Sequence, residues 1–406
     1  QIGFFKNGKY RASESVEGIC LLHSFEECRK DRKAFAQNFH EIETHANMLH
    51  PQTIIEPVQD GYVQVNPPYP IHHYSSLPIP MRKPYRMGIP QIDAAFAKEM
   101  RGLSFDIIHT HSPFSAGKLA LNIARQKGIP VVATFHSKFR QDFERAVHLK
   151  PVVDVMVNNI VSFFEKVDEV WVPQASVADV IHEYGFKGNV EIVDNGNDLV
   201  SPVAVVQQLR DDMRQQLRLK DKETMLLFVG QHIWEKNVGF ILESLALIKH
   251  LPYKLYMVGT GYAVPQIRTM IHTLGLQDKV TMVGNIPDRD LLKRYYAAAD
   301  MFLFPSLYDN APLVVREAAA MHTPALMLQD STAAEIIQPD HNGFLCENNI
   351  TTYATLIQHL MENPQILNTV GDNASTSIAR SWENVVEEVL TRYADIQKRY
   401  KQGKLC

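Results

Sequence analysis

The chain has 406 residues, a formal net charge of −4, and 45% hydrophobic and 21% charged residues, the balance of a soluble globular protein. That length exceeds one ordinary core and suits two domains of roughly 180 to 200 residues each. The negative net charge argues against nucleic acid as a bulk partner, and no apolar run approaches the roughly 20 residues of a membrane-spanning helix.

No charged, apolar and small-residue succession of a secretory leader opens the chain, which begins on Gln1 rather than Met. Cys20, Cys28, Cys346 and Cys406 have neither metal-ligand nor disulfide-framework spacing, so a reducing cytoplasmic setting is expected. Arg82, Lys83 and Arg86, and later Lys398, Arg399, Lys401 and Lys404, form basic clusters. They suit either solvated surface or an anionic membrane face.

Residues 2–5 predict a short buried strand. Residues 16–32 predict a helix, with Ile19, Leu22, His23 and Glu26 at helical spacing and Cys20 and Cys28 as core fillers. Residues 60–90, rich in Pro and Tyr, predict irregular structure with short strands. A helix near 92–101 and a strand at 106–109 follow. The helix 116–126 closes at Gly128 with Pro130 beyond, the expected stop chemistry. Strand 131–134, a helical region over 139–164, strand 169–172, helix 175–183 and strand 190–193 complete a first domain.

Charged, weakly apolar residues 207–222 separate this from a second run. Strands 225–229, 254–258, 280–283, 301–304 and 324–327 alternate there with helices 238–248, 264–274, 289–298 and 312–320. Apolar strands alternating with amphipathic helices predict parallel sheets covered on both faces. The fold class is therefore α/β, with two tandem Rossmann-like doubly wound domains over 1–200 and 201–381. Ligands bind outside the carboxyl ends of such strands, so a deep interdomain cleft is expected. The last segment, 382–406, predicts a helix with Val385, Val386, Val389, Leu390, Tyr393 and Ile396 on one stripe, crossing back onto the first domain.

The most informative segment is Phe304-Pro305-Ser306-Leu307-Tyr308-Asp309-Asn310-Ala311-Pro312-Leu313-Val314-Val315-Arg316-Glu317-Ala318. A strand ends, a loop carries Asp309, and a helix starts with Pro in its first turn, with Glu317 two turns deeper. Two readings stay open. Asp309 or Asn310 is a plain helix cap and Glu317 a solvated residue, or the carboxylates and free helix-start amides face a ligand.

This segment resembles the acidic-x7-Glu signature of the retaining family 4 (group 1) glycosyltransferases, which have the GT-B fold, and is nearest to bacterial lipid-acceptor members. The resemblance implies that Asp309 binds donor-sugar hydroxyls and Glu317 the ribose hydroxyls, with Asn310, Ala311 and Leu313 beside them. Asp309 stands where members usually carry Glu, and Ala311-Pro312 replaces Phe-Gly, so Pro312 offers no N–H.

Gly230-Gln231-His232-Ile233-Trp234-Glu235-Lys236-Asn237 resembles the family's phosphate loop, which places Lys236 on the diphosphate; Gln231 replaces the usual Arg. The resemblance sets Gly259 and Gly261 by the phosphates and Asn285 and Ile286 at the base. Ala133-Thr134-Phe135-His136 resembles the element that brings a His beside the donor sugar, making His136 the catalytic choice with Lys236 and Asp309. His109-Thr110-His111-Ser112 is also family-like and shapes the acceptor side. Asn195-Gly196-Asn197-Asp198 matches the turn that ends the first domain. The likeness covers roughly residues 104 to 396. The expected Gly-Gly loop has only Asn7-Gly8 and Gly18 as candidates.

Asp288-Arg289-Asp290 imitates a cation-binding Asp-x-Asp but opens a helix, where it reads as a cap, and no metal is expected. Lys138, Arg140, Arg145 and Lys150 among Phe135, Phe139, Phe143 and Val147 fit an interfacial helix or an ordinary amphipathic one.

The expected function is transfer of a hexose from a UDP- or GDP-linked sugar, with retention and without metal or cofactor, to a lipid, glycan or small-molecule acceptor. The setting would be glycolipid or cell-envelope synthesis, in the cytoplasm with peripheral contact at the inner membrane face. The rivals are a degenerate GT-B protein that binds nucleotide or a partner without turnover, and a nucleotide-sugar epimerase.

Overall fold

A computed structural model describes residues 19–23, 53–57, 71–78 and 86–403. The chain divides into two compact units. One runs to Asp194 and takes in the segment from Glu383 onward, and the other spans Asn195–Trp382.

The first unit opens with β1 (Ile19–His23), β2 (Thr53–Pro57) and β3 (Ile71–Tyr74). A separate antiparallel pair, β4 (Ser76–Pro78) and β5 (Arg86–Gly88), follows. Then come α1 (Ala94–Gly102), β6 (Ile107–His111), α2 (Ser115–Lys127), β7 (Val131–Thr134), α3 (Phe139–Ala146), α4 (Lys150–Phe164), β8 (Glu169–Val172), α5 (Ala175–Glu183) and β9 (Glu191–Ile192). The sheet order is β3-β2-β1-β6-β7-β8-β9, parallel throughout. Helix α2 ends as the sequence predicts: Gly128 takes a left-handed φ of 66° and donates to the Ala124 carbonyl at 2.8 Å.

One expectation fails here. Residues 16–32 are not one helix, because Ile19–His23 is an interior strand of the sheet, paired with β2 on one side and β6 on the other. A short apolar run fits a buried strand and a helix face alike, and only the partners on both edges decide. Strand β2 was not anticipated. The strand predicted at 2–5, and Asn7, Gly8, Gly18, Cys28, Arg82, Lys83, Lys404 and Cys406, lie outside the described residues.

The second unit runs α6 (Val203–Gln216), β10 (Thr224–Val229), α7 (Val238–Leu247), β11 (Tyr253–Val258), α8 (Val264–Thr273), β12 (Val280–Gly284) and α9 (Arg289–Ala298). It continues through β13 (Met301–Phe304), α10 (Leu313–Ala320), β14 (Ala325–Leu328), β15 (Phe344–Cys346), α11 (Ile350–Glu362) and α12 (Pro364–Ser377). Its parallel sheet has the order β12-β11-β10-β13-β14-β15. Met225 to Phe228 and Met301 to Phe304 are fully buried, as central strands covered on both faces must be.

The stretch 207–222, expected as a separator, lies largely in α6. Val206 and Met213 face the core, too few apolar positions to announce a helix. Its polar side does structural work instead. Arg210 donates to the Ala299 carbonyl at 2.8 Å and Arg214 to that of Ala298 at 2.9 Å, satisfying the end of α9, and both pair with Asp300. The turn Asn195 to Asp198 is bonded into this unit. The Asn197 amide donates to the Arg380 carbonyl at 2.8 Å and the Asn195 side chain to that of Ala311 at 3.3 Å.

The last helix, α13 (Trp382–Lys401), packs on the first unit's sheet. Tyr393 stacks on Trp171, centroids 5.4 Å apart and planes at 12°, and its hydroxyl is hydrogen-bonded to His109 Nδ1. Ile396 and Val386 join Ile107 and Val132 in the same cluster. Arg392 reaches Glu191 and the Ile192 carbonyl, and Arg399 reaches Glu169 at 2.8 Å. The helix thereby covers edge strand β9, and Arg399 is engaged rather than part of a solvated basic patch. Among the described residues no helix is long and apolar enough to cross a membrane.

His109 also meets the Thr134 hydroxyl through Nε2 at 2.6 Å. Burial, with His136 adding in the same direction, holds its pKa well below 6.5. The unfolded chain therefore takes up a proton that the folded protein refuses. Stability is complete above about pH 6.5 and falls below it, by up to about 1.4 kcal/mol per pH unit. The expected outcome is a denaturant midpoint that drops between pH 6.5 and 5.5, with a shallower slope in His109→Gln. An identical slope in that variant would remove His109 from the account.

Candidate active site

In both sheets the strand order reverses once, between β1 and β6 and between β10 and β13. At such a point the loops leaving adjacent strand ends diverge and leave a crevice that binds ligands. The expected site residues of the second unit lie on the loops and helix starts that follow β10, β11, β12 and β13, four neighbouring strands, except Glu317, which lies within the helix after β13.

After β10, Gly230, Gln231 and His232 lead into a single 3-10 turn, Trp234–Lys236, closed by Asn237 at φ 58°. Asn237 donates to the Pro305 carbonyl at 3.2 Å, tying this loop to the one after β13. Lys236 is buried to 8% exposure, lies 5.6 Å from the Phe304 ring centroid and forms an ion pair with Asp309. Lys236 and Asp309, 73 residues apart in the chain, thus meet across the reversal point.

The loops after β10 and β11 lie almost in contact. The His232 amide donates to the Thr260 carbonyl at 3.0 Å and the Ala263 amide to the His232 carbonyl at 3.1 Å. A Cβ on Gly259 would stand 2.0 Å from the Gly230 carbonyl oxygen, and one on Gly261 2.3 Å from that of His232. Glycine is required at both places. Gly284 bonds Gly259 at 2.8 Å, setting Asn285, exposed, and Ile286, buried, at the next strand end.

Helix α10 starts at Leu313 behind Pro312, and no side chain caps it. Asp309 and Asn310 are therefore not its caps, and that bland reading fails. Ala311, Pro312 and Leu313 are half-buried at its mouth. Glu317 departs from the plain reading of a solvated helix residue. It is neither solvated nor open but 4% exposed, with Oε1 accepting from Arg289 at 2.8 Å and Oε2 from the Tyr296 hydroxyl at 2.7 Å. Arg289 also pairs with Asp198. Burial lowers the Arg289 pKa, but Glu317 and Asp198 outweigh it and raise it above the usual value. Tyr296, wholly buried beside Glu317, is likewise pushed far above the phenol range.

Asp288 does cap α9, accepting from the amides of Asp290 and Leu291. What the sequence did not reveal is Arg289 inside that motif. A lone Arg in a cap has no spacing signal, and its partners lie far away in the chain.

In the first unit, His136 sits just past the end of β7, and its Nε2 lies 2.8 Å from Nδ1 of His111 at the end of β6. The rings stack with centroids 5.1 Å apart, and His111 stacks in turn on His109 at 4.3 Å. His111 is thus a neighbour of His136 that sequence reasoning assigned only to shaping a strand end. Among the described residues no group of three His, Cys, Asp or Glu is placed to hold a metal.

Helix α3 is amphipathic. Phe135 and Phe139 are buried, while Arg140 pairs with Asp154 at 2.7 Å and Arg145 with Asp142 at 3.9 Å, so two of its basic residues are engaged within the protein. The exposed apolar side chains lie next door instead: Leu149 just before α4, then Val152 and Val155 on it, 64%, 43% and 60% exposed.

Known proteins resemble most of this chain. Residues 39–200 match the model "Glycosyltransferase Family 4", and residues 210–377 match "Glycosyl transferases group 1". An alpha-monoglucosyldiacylglycerol synthase of Streptococcus pneumoniae is 27% identical over 64% of this chain and 60% of its own length. One of Acholeplasma laidlawii is 26% identical over 70% of this chain and 73% of its own. The chain thus spans about three fifths of the first relative and nearly three quarters of the second. The fold matches the sucrose-phosphate synthase of Thermosynechococcus elongatus, with TM-score 0.67, 20% identity and 85% and 98% of the two chains covered. It also matches Anabaena HepE crystallised with UDP and glucose, with TM-score 0.65, 16% identity and 84% and 98% covered. With two α/β units of GT-B type and two adjoining family matches, the chain belongs to the group 1, family 4 glycosyltransferases.

Proposed function

We propose that this protein is a retaining, metal-independent glycosyltransferase that moves a hexose from a UDP- or GDP-sugar to an acceptor, a lipid before a glycan or small molecule. The observation that carries this reading is the Lys236–Asp309 pair across the strand reversal of the second unit. It joins a buried cation to a carboxylate at the place where such folds bind phosphorylated ligands. The cation's role is to hold the diphosphate as negative charge develops on it. Asp309, relieved of part of that pairing, accepts hydrogen bonds from sugar hydroxyls, and Glu317 accepts them from the ribose. Relatives that act on diacylglycerol lipids favour the lipid acceptor.

The bond from the anomeric carbon to the phosphate oxygen breaks as the bond to the acceptor oxygen forms on the same face. The acceptor's proton passes to the departing phosphate oxygen. Asp309 and Glu317 are each engaged with a cation, Lys236 and Arg289, an arrangement for binding rather than for a nucleophile and acid pair. Asp288, spent as a helix cap, leaves the Asp-x-Asp without a metal role. His136 is the catalytic group proposed for the first unit. Gln231 forgoes the bidentate phosphate contact of an Arg, which places more of that load on Lys236. It also motivates the second reading, nucleotide binding without turnover.

Release of nucleoside diphosphate from a panel of UDP- and GDP-sugars separates the two readings. Wild type is expected to turn over with retained anomeric configuration and undiminished rate in EDTA. Lys236→Ala is expected to lose about 100- to 1,000-fold in rate. Glu317→Ala would also break a buried pair and cost about 3–5 kcal/mol of stability, so Glu317→Gln is the cleaner probe. Unaltered turnover in both Lys236→Ala and Glu317→Gln would end the site assignment.

Contact with an anionic membrane is proposed through Leu149, Val152 and Val155 with Lys150 beside them. Cosedimentation with phosphatidylglycerol vesicles should fall at least severalfold in a triple Ser variant of the three apolar residues. Equal binding by wild type and variant would exclude this face.

A further inference from the structure

We propose that Arg289 is a positioning residue for nucleotide recognition: it fixes the Glu317 carboxylate so that ribose is distinguished from deoxyribose. This rests on the reading of Glu317 as the ribose acceptor. It goes beyond it by assigning the selectivity to a residue that touches no part of the nucleotide.

The geometry is that of a clamp. Arg289, the first residue of α9, is 11% exposed at its side chain. Its Nε donates to Asp198 Oδ2 at 2.9 Å, and Nη2 donates both to Asp198 Oδ1 and to Glu317 Oε1. The Asp198 fork prevents the planar guanidinium from turning, so the direction of the Glu317 contact is fixed with it. On the other oxygen, the wholly buried Tyr296 donates at 2.7 Å. Glu317 is thus held from both sides on α10 and cannot change rotamer without losing a charge-assisted bond.

A carboxylate has about four acceptor sites. Arg289 and Tyr296 occupy one on each oxygen, and those remaining keep a fixed direction. A rigid acceptor gains from a hydroxyl that meets it and is left incompletely satisfied when that hydroxyl is missing. A carboxylate free to swing would find another partner and lose the distinction. Discrimination, more than affinity, is therefore the property Arg289 controls.

Titration calorimetry of the full chain with UDP, 2′-deoxy-UDP and 3′-deoxy-UDP tests this, with the guanosine series in parallel. Wild type is expected to prefer the ribonucleotide by about tenfold or more over at least one deoxy form. Arg289→Lys keeps a charge but not the fork, and should narrow the ratio to within about threefold while binding the deoxy form much as before. Tyr296→Phe should narrow it in the same direction, and it carries the test if Arg289→Lys does not fold. A merely structural Arg289 would weaken ribo and deoxy forms alike. Retention of the full wild-type ratio in Arg289→Lys and Tyr296→Phe would overturn the proposal while leaving the ribose role of Glu317 standing. Absence of any preference in wild type would overturn that role, and this inference with it.

Discussion

Parallel pairing is the constraint on which both units depend. When every strand in a sheet runs the same way, every loop that follows a strand emerges at one edge, and the covering helices leave that edge open only where the order reverses. In the second unit this places Lys236, Gly259, Asn285 and Asp309, spread over more than seventy residues of chain, on four neighbouring strand ends. In the first it places His111 and His136 side by side on β6 and β7. No local preference of these residues would assemble them. The hydrophobic strands do so, because Met225 to Phe228 and Met301 to Phe304 can be buried on both faces only in such a sheet.

Charge at that edge is neutralised within the protein. Lys236 is paired with Asp309, and Arg289 with both Asp198 and Glu317. Buried ions left single would cost several kcal/mol each, so pairing is a condition of folding before it is a feature of binding. The two pairs differ in how they are held. Arg289 is anchored by a fork to Asp198 and closes on a carboxylate that Tyr296 also holds. Lys236 is a single ammonium at the end of a flexible stem. An arriving diphosphate can therefore compete for Lys236 more readily than for Arg289, which divides the site into an exchangeable part and a fixed frame.

The sequence made the helix and strand rhythm of residues 131–193 and 225–304 readable, because Gly and Pro punctuate apolar runs of clear period there. It misled at residues 19–23, where a short, mostly apolar strand imitates a helix face. It was silent about α6, whose few core positions, Val206 and Met213, are supplemented by Arg210 and Arg214 on the carbonyls of α9. Lys236, Asp309 and Glu317 were legible through motif likeness. Arg289, Tyr296 and His111 were not, since each acts through a partner supplied by another element, and nothing in the spacing points to that partner.

Three substitutions in the family-like motifs gain a physical meaning from the geometry. Asp309 is one methylene shorter than the Glu that usually stands there, yet it reaches Lys236, so the shorter side chain is drawn toward the cation loop rather than along α10. Pro312 removes one N–H from the helix start, but the helix remains uncapped by any side chain, and the amides of its first turn follow directly behind. Gln231 removes a guanidinium. On the proposed reading each change takes a polar contact away from the phosphate side or shortens one, and each leaves more of the load on Lys236 and the mouth of α10. These two are held together by the Asn237 bond to Pro305 and the ion pair with Asp309.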